Sequence, residues 1–270
     1  MDLPPFPLLD LRAGDDDRHW RLRVTPALST PFGALYGGAG IAACAEAAEA
    51  ATGRALVWIT AQFVGTPVPG DEVDLRVALP APGRVTSQSQ VVATVGDRPV
   101  LTALAAHTER DDGDEVAWAT PPVVPEPDDC APMHEPFEVG GPTFLDSIER
   151  RVAAGAFARD AFDRPQTGTL AMWCRIRGVP IASAATQAYV ADVVPLGVCA
   201  ALGVEPGGTS LDNTLRVLDP RPTEWALLEM VAEGRYRSVG HGSVRLWSAD
   251  GRLLGIAQQS ALIRTSHHRG

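Results

Sequence analysis

AGIAACAEAAEAAT, residues 39–52, decides how this chain folds. Alanine has the best intrinsic helix propensity, and Gly53 follows as the residue best able to close a helix in the left-handed region. The segment therefore reads as a helix with unusually small side chains, one that can approach a sheet closely or be wrapped by it. It is entered through STPFGALYGG (29–38), a turn-rich stretch ending in Gly37-Gly38. Four β-like runs follow without an intervening helix: VWITAQFVG (57–65), DEVDLRVAL (71–79), RVTSQSQVVATV (84–95) and PVLTALAAHTE (99–109). Proline and glycine turns at 66–70, 80–83 and 96–98 separate them. A doubly wound α/β sheet needs a helix between successive parallel strands, so this order excludes it. One helix and four consecutive strands suit an antiparallel sheet curled around that helix.

Working outward, HWRLRVTPAL (19–28) alternates like a half-exposed strand before the helix. Beyond the fourth strand, RDDGDE (110–115) is an acidic break, and ATPPVVPEPDDCAPMHEPFEVGGP (119–142) is too proline-rich for a helix or a central strand. Residues 113–160 read as a connector, with a short helix near FLDSIERRVAAGAFA (144–158). Then the order repeats. TLAMWCRIRG (169–178) is strand-like, IASAATQAYVADVVPLGVCAALG (181–203) is a second Ala-rich helix interrupted by Pro195, and TSLDNTLRVL (209–218), EWALLEMVAEGRYRS (224–238), HGSVRLWSADG (241–251) and RLLGIAQQSALIRT (252–265) are strands. The Ala249-Asp250-Gly251 turn between the last two marks a hairpin. The chain divides into 1–112, the 113–160 connector and 161–270, two α+β halves alike in element order rather than in letters. Their sheets can pair edge to edge, which protects open strand edges.

Composition narrows the function. The 270 residues carry 33 acidic and 23 basic side chains, a formal charge of −10, whereas nucleic-acid binding normally needs a basic face. Cys44, Cys130, Cys174 and Cys199 show no CxxC pair and read as small buried apolar residues. The histidines form no HExxH, and His267-His268 sit in a terminal tail, so no structural metal or cofactor is expected. There is no signal-peptide succession and no uncharged apolar run of about twenty residues, since Glu46 and Glu49 interrupt the first Ala-rich helix. The expectation is a cytoplasmic protein without a membrane span.

No GxSxG elbow is present, which argues against a hydrolase built on a serine triad; GHGSV (240–244) matches it only superficially. Asp192 lies within AYVADVVPLGV, an apolar helical run where an aspartate is an odd packing choice, and Pro195 cannot donate to the carbonyl of Ala191. It reads equally as a carboxylate bonded to the loosened turn or as a working acid. Gly37-Gly38 before a helix are either a plain tight turn or a source of backbone N–H groups for a carbonyl oxygen or phosphate. Trp58, Trp118, Trp173, Trp225 and Trp247 read as packing residues of the cores or the interface.

Three sets of residues give a specific resemblance: LYGGAGIAACAEAA (35–48) with VWITAQFVGTPVPGDEVDLRV (57–77), TSLDNTLRV (209–217) with Trp225 beyond it, and HGSVRLWSADGRLLGIAQQSALIR (241–264). In order and spacing the chain resembles the double hot-dog acyl-CoA thioesterase II (TesB-like) family. The resemblance implies two antiparallel sheets, each around a central helix, an acyl-CoA substrate, and a triad of Asp192, Ser210 and Gln259 that orients a water for attack on the thioester. It also implies that Glu46 and Glu49 in the first helix have no catalytic part, and the two read as solvated or helix-end salt-bridging glutamates. Asp212, two residues from Ser210 and expected on the same strand face, reads as a structural acid. Gln258 and Gln259 must point to opposite faces. The family often has His where this chain has Asn213. A hot-dog hydratase or dehydratase, which wants a His beside its acid, and a non-catalytic acyl-CoA binding protein are the alternatives. Hot-dog sheets tend to associate, so a homo-oligomer is expected.

Overall fold

In a computed structural model of the protein, residues 5–110, 116–134, 140–157, 167–205 and 207–264 are described. The acidic 111–115 and the tail with His267 and His268 lie outside them. In chain order the elements are β1 (Arg12–Ala13), β2 (His19–Arg23), α1 (Gly37–Thr52), β3 (Ala55–Phe63), β4 (Glu72–Pro82), β5 (Thr86–Val95) and β6 (Arg98–Thr108). The second series is β7 (Ala131–Pro132), β8 (Ile148–Ala154), β9 (Thr169–Ile176), α2 (Ala184–Ala191), α3 (Val194–Leu202), β10 (Gly208–Val217), β11 (Ala226–Tyr236), β12 (Val239–Ser248) and β13 (Leu253–Ile263).

All described strands belong to one antiparallel sheet in the order β1-β2-β4-β5-β6-β3-β10-β13-β12-β11-β9-β8-β7. The seam between halves is the β3–β10 pair, where Thr60 faces Thr214 and their hydroxyls are 2.7 Å apart. Each half curls around its own helix, so the fold is a double hot-dog. Burial explains why both helices are built from small residues. Gly38 to Ala45, Ala47 and Ala48 of α1 are buried, as is all of α2, and only the last turns of α1, with Glu46, Glu49 and the exposed Ala50, reach water. Helix α1 closes on Gly53 at φ 64° and α3 on Gly203 at φ 66°, the same left-handed cap in each half. Ala184–Leu202 is long and apolar enough to cross a membrane by length and composition, but most of it is buried as the core helix of the second half. All four cysteines are buried and unpaired.

Two sequence expectations fail in the connector. No α-helix occupies the described part, 144–157, of the 144–158 stretch. Thr143 caps a single 3-10 turn, Phe144–Ser147, and the chain then enters β8 alongside β9. The pairing satisfies backbone groups of β9 that would otherwise face water at a sheet edge. The proline-rich 119–130 stretch lies across the outer face of the second half. There Trp173 Nε1 donates to the Pro125 carbonyl at 2.8 Å, and Cys130, Trp225 and Trp247 join the same small cluster. Trp118 packs into no core; it is 91% exposed, because the extended chain around it has no sheet to lie on.

Candidate active site

The second Ala-rich helix is not continuous. Asp192 has φ −80° and ψ 61°, and the Val193 N–H donates to the Ala191 carbonyl at 2.9 Å, so Asp192 is the centre of an inverse γ-turn. The sequence loosens the helix here. Pro195 has no N–H for the Ala191 carbonyl, and the carbonyl takes the nearer amide instead. The turn ends α2, α3 restarts from Val194, and the Asp192 side chain is thrown out of the helix toward the N-terminus of α1.

That N-terminus can come close because Gly37 and Gly38 lack side chains. A Cβ on Gly37 would stand 2.6 Å from Asp192 Oδ2, and one on Gly38 would stand 2.5 Å from the Tyr189 carbonyl oxygen. The Gly38 N–H donates to the Asp192 carboxylate. The first amides of a helix have no internal partner and carry its positive end, so they suit a carboxylate. Tyr36, buried just before the helix, locks the contact: its hydroxyl donates to the Tyr189 carbonyl at 2.8 Å and to that of Asp192 at 3.4 Å.

The strands supply the rest. Gln259 on β13 is buried and Gln258 is exposed. Gln259 Nε2 donates to Asp192 Oδ1 and, at 2.8 Å, to Ser210 Oγ on β10. This orientation of the amide is the one without oxygen facing oxygen. Gln259 Oε1 is buried and has no partner among the described residues. Asn213 Nδ2 also reaches Asp192 Oδ1, at 3.4 Å. The carboxylate is thus held by neutral donors only. Burial, the largest influence, raises its pKa above the ordinary aspartate value, and Gln259, Gly38 and Asn213 pull part of the way back.

Asp192, Ser210 and Gln259, the set that the resemblance implies, therefore meet in one place, with Gly37 and Gly38 beside them. Asp212 does not share the face of Ser210. The register shifts between Ser210 and Asp212, a bulge that leaves Leu211 unpaired and reverses the alternation. Ser210 points inward, while Asp212 accepts the Ser260 N–H at 2.7 Å and is a structural acid. Glu46 and Glu49 are half-buried and form no salt bridge among the described residues; they accept the backbone N–H groups of Phe6 at 3.0 Å and Leu56 at 2.8 Å. Sequence reading left Asn213 and Tyr36 out of the site. Each had a signal: Asn213 departs from the usual residue beside the Asp of its strand motif, and Tyr36 directly precedes the glycine pair. Asp192's hydrogen-bond partners include no histidine, and His241 instead bonds Ser260 Oγ at 3.0 Å. No group of three or more potential metal ligands occurs among the described residues.

Comparison with known proteins agrees with this fold. Residues 25–108 match the family model of the acyl-CoA thioesterase N-terminal domain, and residues 127–263 match that of the C-terminal domain. A structure from Novosphingobium aromaticivorans provisionally named a thioesterase is 32% identical, with a TM-score of 0.86 over 96% of this chain and 99% of that one. A hot-dog protein of unknown function from Alicyclobacillus acidocaldarius is 21% identical (TM-score 0.84, 96% and 97% covered). An acyl-CoA thioesterase II from Mycobacterium marinum is 17% identical (TM-score 0.73, 96% and 97% covered), and at such identities the likeness speaks for the fold alone. The search of curated proteins returned no match. With one model covering half of the chain and the other most of what precedes it, the chain belongs to the acyl-CoA thioesterase family of paired hot-dog domains.

Proposed function

We propose that this protein hydrolyses acyl-CoA thioesters to a free acid and CoA, using a water activated by Asp192. The observation that carries the reading is the Gln259 amide shared between the Asp192 carboxylate and the Ser210 hydroxyl. Both N–H bonds of that amide are spent on aligning its two neighbours. The attacking water gives one proton to Asp192, and the Ser210 hydroxyl, itself held by Gln259, donates to the water oxygen. Its oxygen bonds to the thioester carbon, and the resulting oxyanion is met by the positive end of α1, with the Gly37 N–H as donor. The C–S bond then breaks, and the sulfur leaves with the proton held by Asp192. No covalent acyl-enzyme is needed. The raised pKa of Asp192, caused by its burial, makes the ionised carboxylate a better base. Association into a homo-oligomer is part of the same reading.

The test is release of free thiol from a panel of acyl-CoA esters, with Asp192→Asn protein as the control. Turnover by the native chain that disappears in the variant supports the proposal. Equal turnover by both removes Asp192 from it.

A further inference from the structure

The break at Asp192 takes a hydrogen bond away from a buried carbonyl. In a continuous helix the Tyr189 oxygen would accept the Val193 N–H, but that amide has turned to Ala191. Tyr189 is fully buried, and an unpaired acceptor is costly there. The Tyr36 hydroxyl, from the other half of the chain, donates to the Tyr189 oxygen instead at 2.8 Å and reaches the Asp192 carbonyl at 3.4 Å. Tyr36 leads directly into Gly37 and Gly38, which face the Asp192 carboxylate. One side chain thus ties the broken end of α2 to the start of α1.

The connector grips both tyrosines. Its 3-10 turn, Phe144–Ser147, is fixed to the first half by the Phe144 N–H, which donates to the Ser29 carbonyl at 2.9 Å. The Phe144 ring lies flat on the Tyr36 ring, with centroids 3.8 Å apart and planes 8° from parallel. Ser147 Oγ spends its one proton on the Phe144 carbonyl at 2.6 Å, so the Tyr189 hydroxyl donates to Ser147 Oγ at 2.8 Å. Tyr189, three residues before Asp192, is therefore held at its hydroxyl by the connector and at its carbonyl by Tyr36.

We infer that Tyr36 is a positioning residue for Asp192, and that the connector turn Phe144–Ser147 is the brace that keeps it in place. The Tyr36 hydroxyl bonds backbone carbonyls and no reacting atom. It fixes the end of α2 where the helix breaks, and so keeps the Asp192 carboxylate against the Gly38 N–H and the Gln259 amide. Without the hydroxyl the α1 N-terminus and the turn separate, and a carboxylate that loses a donor is harder to ionise. Both tyrosines stay neutral while Asp192 titrates, because burial pushes Tyr36 well above its ordinary value and Tyr189 up to about 12. Of the other titratable groups around the pair, burial pushes Cys174 up to about 12, Arg150 is a cation throughout, and Glu46 accepts the N–H of Phe6, whose ring packs edge-on against Tyr189.

The inference rests on the thioesterase reading for its kinetic arm alone. The experiment is NMR titration of isotope-labelled aspartate carboxyls, with Asp192→Asn assigning the Asp192 signal, in the native chain, Tyr36→Phe and Ser147→Ala, beside kcat, KM and thermal melts of the same proteins. Ser89→Ala, which strips buried His107 of its 2.8 Å partner in the first half, is the control for lost stability alone. Tyr36→Phe keeps the ring and its stack. In it the Asp192 titration moves upward, and kcat falls about ten- to a hundredfold while KM stays within about twofold. Ser147→Ala moves the titration the same way by less, and it carries the test should Tyr36→Phe not fold. Ser89→Ala lowers Tm and moves neither the titration nor kcat. A native-like Asp192 titration in Tyr36→Phe (or, if that variant does not fold, in Ser147→Ala) overturns the inference, as does a loss of kcat in Ser89→Ala equal to that in Tyr36→Phe. A shifted titration in a chain that hydrolyses no acyl-CoA would keep the brace and remove the hydrolysis.

Discussion

The two halves answer the same architectural problem with opposite chemistry. Their strands correspond position by position about the Thr60–Thr214 pair: Ser210 pairs with Ala261 before a bulge, just as Leu56 pairs with His107 before one. Even the bulged residues match, Val57 and Leu211, both exposed. Asn213 pairs with Gln259, and at the corresponding place Ile59 pairs with Ala105. Asp192 stands eleven residues before the cap Gly203, and eleven before Gly53 is Ala42. Thus Asp192, Ser210, Asn213 and Gln259 have Ala42, Leu56, Ile59 and Ala105 as counterparts, all buried. A buried carboxylate destabilises unless donors surround it, and a duplicated chain needs to bear that cost in only one half. The first half, relieved of it, keeps α1 unbroken.

The comparison breaks most completely at Asp192. Asp192→Asn keeps the shape and removes the base, and kcat should fall about a hundred- to ten-thousandfold. Because the folded carboxyl titrates above the ordinary aspartate value, kcat/KM of the native enzyme should rise with pH through that raised pKa. A flat acidic limb would show that the carboxylate is not the base. Next come Ser210→Ala and Gln259→Ala, each expected to cost on the order of ten- to a hundredfold. The double variant should cost far less than the product of the two, since both act on one water. Multiplicative losses would separate them.

Asn213→Leu makes the second half resemble the first, where Ile59 stands. The Asn213 contact to Asp192 is long, 3.4 Å, and is not the main support of the carboxylate. The loss in plateau kcat should therefore stay below about tenfold. Losing a donor to the ionised form shifts the acidic limb of the pH profile upward, because the charged carboxylate is what Asn213 stabilises. An unchanged limb with a lowered plateau would make Asn213 a packing residue only.

How far the sequence carried follows from what each feature depends on. The helix at 39–52 and the strands beside it were legible because propensity, turn residues and period agree there. Asp192 was legible as an anomaly, a carboxylate in an apolar run above a proline, but the γ-turn that aims it was not. Which amide the Ala191 carbonyl takes depends on the packing of α1 against α2. Strand β8 was misread as a helix because its sequence, IERRVAA, is compatible with either, and only the open edge of β9 decides. The face of Asp212 was misassigned for a related reason: alternation assumes an unbroken register, and a bulge is written in the pairing of two strands, not in either one.

The smallest effect concerns the carboxylates the first half does keep. Burial pushes the Glu49 carboxyl from its ordinary value up to about 7, against the opposing pull of the Leu56 N–H it accepts. A group whose pKa is raised by folding binds more protons in the folded state. Its contribution is therefore full below about pH 4.5 and is lost as the pH rises through 7. Glu49→Gln retains an oxygen for the Leu56 amide and cannot ionise. At pH 5 the variant and the native chain should be equally stable. At pH 8 the variant should be more stable by roughly 1 kcal/mol, less than the full linkage value because the group is partly hydrated, or about 2 °C in Tm for a chain of this size. Thermal melts of both proteins at the two pH values decide it. A stability difference that is the same at pH 5 and pH 8 would mean that Glu49 is already ionised in the fold, and that the first half tolerates a buried charge as well as the second.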